Sequence, residues 1–214
     1  MKKYSLTKNK KEVYGTTFFQ IKADMSFGNV SKGELGGYIE KEENLSQDGN
    51  AWVSGNARVY GNARVYGNAE VSGNAWVSGN AEVYGNARVY GNAWVYGNAE
   101  VSGNARVSGN AEVYGDARVY GNAWVYGDAR VYGDARVYGN AEVSGKIKLI
   151  AGYFFGMRYN NEEIKYIENE GQEIIYKGEA KFGDDKDDKK QELMDKADEL
   201  IKKAEELKEQ ANSL

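Results

Sequence analysis

The 214-residue sequence contains no histidine and no cysteine. Without cysteine there is no disulfide framework, no thiolate nucleophile and no thiolate metal site. Without histidine the chain lacks the commonest general base and the commonest metal ligand. No run of about 18 apolar residues occurs, so no transmembrane helix is expected. The opening Met1-Lys2-Lys3-Tyr4-Ser5-Leu6-Thr7-Lys8 has no apolar centre of the kind a secretory signal needs. Net charge is also scarce, at −4, and unevenly placed: from Asp184 onward 11 acidic and 7 basic side chains supply all of it. No basic footprint marks a nucleic-acid partner.

What the sequence has instead is repetition. From Gly49 to Ser144, 96 residues fall into 16 hexapeptides of the form Gly-Asn-Ala-x-Val-Tyr/Ser, with Asp for Asn at Asp116, Asp128 and Asp134. The variable residue x is only Arg, Glu or Trp. Ala and Val lie two apart, so in an extended chain they face one side while x faces the other. Gly-Asn then breaks the strand, because both residues tolerate left-handed backbone angles. Three short strands and three corners close a turn of 18 residues, with coils stacked ~4.8 Å apart like strands in a sheet. Asn at every corner is suited to side-chain ladders between coils.

The units Val-(Tyr/Ser)-Gly-Asn-Ala-x resemble the hexapeptide pattern of left-handed β-helix proteins. The lead-in Gly33-Glu34-Leu35-Gly36-Gly37-Tyr38-Ile39-Glu40-Lys41-Glu42-Glu43-Asn44-Leu45-Ser46-Gln47 is similar to one in a group of bacterial and prophage hexapeptide-repeat proteins of uncharacterised function. The resemblance implies an all-β solenoid, a triangular left-handed parallel β-helix, and a phage or prophage context; the absence of a signal and of a transmembrane run makes the bacterial cytoplasm the expected compartment. It also implies the acyltransferases and carbonic anhydrases for which the fold is best known, but their activities rest on histidine, which this chain lacks.

Four segments are expected. Residues 1–36 form a β-rich cap containing a hairpin over Lys11–Lys22. Residues 37–145 form the β-helix, with Glu43–Asp48 as an imperfect first unit whose Leu45 stands where Ala will be. The rhythm breaks at Lys146, and 146–183 form a β cap with a hairpin around Glu168–Gln172. In the tail, 184–214, Leu193, Leu200, Leu207 and Leu214 alternate with Ala197, Ala204 and Ala211 at 4-3 spacing, the a/d seam of a coiled coil. This helix either joins copies of the chain or folds back on its own solenoid.

No catalytic, cofactor or metal residue suggests itself, and no cofactor is expected. Taking every third unit sorts x onto three outward faces. The first carries Trp52, Glu70, Arg88, Arg106, Trp124 and Glu142; the second Arg58, Trp76, Trp94, Glu112 and Arg130; the third Arg64, Glu82, Glu100, Arg118 and Arg136. Trp76 and Trp94 are expected to stack, and Tyr96, Tyr114 and Tyr132 on the same face and Tyr120 and Tyr138 on the third form columns. We take Trp76, Trp94, Tyr96, Tyr114, Arg130 and Tyr132 as a candidate protein-contact face, since aromatic residues and Arg dominate such contacts. The expected function is a non-enzymatic, self-associating interaction scaffold, a dimer or trimer with itself or a host protein as partner. The alternative is a phage inhibitor of a host defence complex, anti-CRISPR-like, acting by occlusion.

Overall fold

The computed structural model describes residues 2–154. The hairpin around 168–172 and the heptad helix with its seam residues Leu193 to Leu214 lie outside the described residues.

Each hexapeptide contributes a two-residue strand formed by x and Val, such as Trp76–Val77 and Trp94–Val95. Strands pair in parallel with the unit three places on: Trp76 opposes Trp94, and Val77 opposes Val95. The result is a parallel β-solenoid with three sheets, one of nine strands and two of six. The faces sorted from the sequence are these sheets. Every Ala and Val of the array is buried at 0–1% exposure. Each buried Val is worth about 1.5–3 kcal/mol, most of which chain entropy offsets.

The corner follows from one residue. Gly97 has φ of +72°, and a Cβ placed there would stand 2.9 Å from the nitrogen of Gly115 in the next coil. Side chains are therefore excluded by conformation and by space. The expectation that Asn shares the left-handed conformation is corrected: among the described residues only Tyr14 is a non-glycine with positive φ. Left-handed φ at the first central residue only is the mark of type II′ turns, and Ala57 N donates to Ser54 O across one such corner at 3.3 Å. Asn has a different task. Its amide donates to the Asn carbonyl one coil on, as from Asn50 to Asn68 at 3.0 Å and from Asn80 to Asn98 at 2.9 Å.

The N-terminal cap is a hairpin, β1 (Tyr4–Val13) and β2 (Thr16–Ala23), followed by β3 (Leu35–Ile39). β2 pairs antiparallel with β3, which then pairs in parallel with Arg58–Val59 and so continues the second face. The other two faces have no such strand ahead of them, and side chains supply the missing donors. On the first face Lys3 Nζ donates to the Ala51 carbonyl at 2.9 Å. On the third the Asn44 amide donates to the carbonyls of Gly61 and Ala63 at 3.1 and 2.9 Å.

Two readings of the ends are corrected. Leu45 bridges Val65, and Ile39 opposes Val59, so both lie in the Val columns and not in the Ala column. Gln47 and Asp48 are the two inserted residues that restore register, and Gln47 Oε1 accepts from Lys3 N at 2.9 Å. At the other end the ladder does not break at Lys146. Lys148–Leu149 pairs with Arg130–Val131, and Ile147 and Leu149 are buried at 1% and 3%. They replace Ala and Val with other apolar residues, and burial is what those columns require. Among the described residues no helix is long and apolar enough to cross a membrane.

Candidate interaction surface on the second face

The outward face of a flat parallel sheet places like positions rung over rung, so each column is a row of side chains one strand spacing apart. On the second face the indoles of Trp76 and Trp94 stack with centroids 5.7 Å apart and planes 29° from parallel. Beside them Tyr96 and Tyr114 lie at 4.7 Å and 4°, and Tyr114 and Tyr132 at 4.8 Å and 6°. Tyr120 and Tyr138 stack at 5.2 Å on the third face. The columns read from the sequence are therefore present.

The two tryptophans are not equivalent. Phe18 of β2 lies edge-on to Trp76 at 6.2 Å and to Tyr60 at 5.5 Å, and the Arg58 guanidinium sits 4.6 Å from the Trp76 ring. The cap thus roofs one side of Trp76, whereas Trp94 is 48% exposed. Trp52, placed on the outward first face from the sequence, is corrected to a buried residue. It is 5% exposed, enclosed edge-on by Tyr4 and Phe27 at 6.4 and 5.4 Å. A Cβ at Gly36 would come 2.7 Å from Trp52 Cζ2, so glycine there admits the indole.

Sequence reasoning missed Glu112, which links the face together. Its Oε1 pairs with Arg130 Nη2 at 3.2 Å, and its Oε2 accepts from the Tyr96 hydroxyl at 3.3 Å. Its place between Trp94 and Arg130 in the column was the available signal. Burial, then the nearby Glu112 carboxylate, pushes the Tyr96 phenol up to about 12. Burial also raises Tyr114. Both hydroxyls thus keep their protons, on a face combining an exposed indole, three stacked phenols and a half-exposed ion pair.

The first face carries a shallow groove of about 840 Å³ that runs from the cap residues Gly28 and Glu34 along the Asn ladder to Asn122. Glu70, paired with Arg88 at 3.5 Å, and Arg106 also line it. Among the described residues no group of three or more acidic side chains converges as a metal site would.

The family described as the YdcK beta solenoid repeat matches this chain at residues 51–67, 57–71, 63–79, 81–97, 99–115, 111–127 and 129–145. These matches fall on the coils seen in the structure. The chain is a β-solenoid repeat protein. No curated protein matches it.

Proposed function

We propose that the chain is a non-enzymatic, rigid interaction scaffold of phage or prophage origin that self-associates, with the second face as its contact surface. The observation that carries this reading is the exposed Trp94 beside the Tyr96–Tyr114–Tyr132 stack and the Glu112–Arg130 pair. Aromatic anchors next to a pairable Arg are the residue types that dominate protein contacts. A solenoid holds them without the entropy cost of ordering a loop. The heptad seam Leu193–Leu214 is the second contact in this reading and rests on sequence spacing. The phage context rests on the resemblance of the lead-in.

Mass measured by light scattering against concentration tests it. The full chain is expected to be larger than a monomer. Trp94→Ala with Tyr114→Ala is expected to weaken the association, and Leu200→Asp with Leu207→Asp to remove the tail's part in it. A monomer at every concentration would sink self-association. An unchanged mass in both variants would leave neither surface a role.

A further inference from the structure

Tyr66 and Tyr84 stand on adjacent coils with ring centroids 4.9 Å apart and planes 1° from parallel. The Tyr66 hydroxyl donates to Glu82 Oε2 at 2.8 Å, and the Tyr84 hydroxyl to Glu100 Oε2 at 3.3 Å. Each phenol of the pair thus has its own carboxylate as proton acceptor. The Tyr96–Tyr114 pair is as close, at 4.7 Å, but only Tyr96 donates to a carboxylate among the described residues. Burial and the bond to Glu82 hold the Tyr66 phenol well above its usual range. Tyrosinate is therefore not the oxidisable species near neutral pH. An electron can leave this ring at low cost only if the proton leaves with it, and Glu82 is in place to take it.

We propose that Tyr66 and Tyr84 form an oxidative cross-linking site whose co-substrate is a one-electron oxidant, such as a peroxide-derived high-valent haem or a photo-excited metal complex. Two equivalents of oxidant take one electron from each phenol, and the two phenolic protons pass to Glu82 and Glu100 and on to water. The two phenoxyl radicals join through a carbon–carbon bond between ring positions ortho to the oxygens. The two ortho hydrogens then move to those oxygens, so both rings end as phenols. Both side chains are only partly buried, at the corner after the third face, which leaves the rings room to turn toward each other. The product is a covalent staple between two coils that otherwise hold by nearest-neighbour contacts.

The test exposes the full chain to photo-excited tris(bipyridine)ruthenium with persulfate under limited light, and maps dityrosine by its emission and by peptide mass spectrometry. The Tyr66–Tyr84 product is expected to form first. Glu82→Gln with Glu100→Gln, which keeps a hydrogen-bond acceptor but removes the base, is expected to slow it about tenfold. The Tyr96–Tyr114 product in the same sample should keep its rate and so acts as the internal standard. Tyr84→Phe should remove the Tyr66–Tyr84 product altogether. Equal slowing of both products, an unchanged rate in the Gln variant, or first coupling at the exposed Tyr14 would each overturn the proposal.

Discussion

Trp124 Nε1 donates to Ser108 Oγ at 3.0 Å, 16 residues and one coil back. The same diagonal joins Tyr66 to Glu82, Tyr84 to Glu100 and Tyr96 to Glu112. At these four positions the residue after Val is thus matched to x on the next coil. Glu82, Glu100 and Glu112 are each met by a phenol that reaches them, and the Trp124 indole by a serine that leaves it room, whereas Glu70 is met by Ser54. Ser78 stands at the corresponding place for Trp94. Trp76 differs from Trp94 and Trp124: it meets Tyr60 edge-on at 5.9 Å under the cap.

Ser108→Ala should therefore cost about 1 kcal/mol, the net worth of one hydrogen bond. Ser108→Tyr should cost roughly 1–3 kcal/mol, because Ser108 is 5% exposed and a second ring must displace the indole. Urea unfolding of both variants checks this. A tyrosine that left the midpoint unchanged would show that the diagonal imposes no steric choice.

Gly97→Ala tests the corner. A left-handed φ on a residue with Cβ costs roughly 1–3 kcal/mol by itself, and the 2.9 Å approach to Gly115 N adds strain that neighbouring backbone cannot easily relieve. The loss should exceed that of Asn98→Ala, which removes solvent-exposed ladder bonds only. The reverse order in thermal unfolding would place the corner's stability in the Asn ladder.

Aspartate accepts in the ladder but cannot donate. Asn98 donates to Asp116 at 2.9 Å, and the next position in that column is Asp134. Asp116→Asn keeps the acceptor, supplies a donor toward Asp134 and removes a like-charge neighbour. A gain of roughly 0.5–1.5 kcal/mol is expected. A lower urea midpoint at neutral pH would contradict it.

The interior was legible in the sequence because its requirement is so simple: two buried positions per hexapeptide, with register fixed by Gly. That is why periodicity alone specifies the three faces and the Trp76–Trp94 and Tyr96–Tyr114–Tyr132 columns. The ends were less legible. Lys146-Ile147-Lys148-Leu149 is one more unit, hidden because Ile and Leu replace Ala and Val while keeping their burial. Trp52 looked outward by position, and only the cap, through Tyr4 and Phe27, makes it interior. The true column of Leu45 is hidden because a two-residue insertion leaves no mark in composition. Periodicity reports what one coil does to the next, but not what a non-repeating segment folds onto.

The donors that close the first coil give the fold a distinctive response to pH. Lys3 is 3% exposed, with Nζ 2.9 Å from the Ala51 carbonyl and 3.5 Å from those of Asp48 and Gly49. Burial lowers its pKa from 10.5 to about 8, with Asp48 acting in the opposite direction. Between those two values the unfolded chain holds a proton that the folded chain has released, so stability from this group rises as pH rises across that window. The phenols act with the opposite sign. Burial raises Tyr96 from 10.0 to about 12, and raises Tyr66 and Tyr114 as well. Above pH 10 the unfolded chain gives up phenolic protons that the folded chain keeps, so this contribution is lost as pH rises from 10 through 12. Urea midpoints followed upward from neutral pH should climb beyond 8 and fall beyond 10. Lys3→Met should flatten the climb and leave the fall in place, with tyrosinate absorbance appearing alongside the fall. A climb that persists in Lys3→Met would mean that another group, and not this lysine, titrates as the first coil closes.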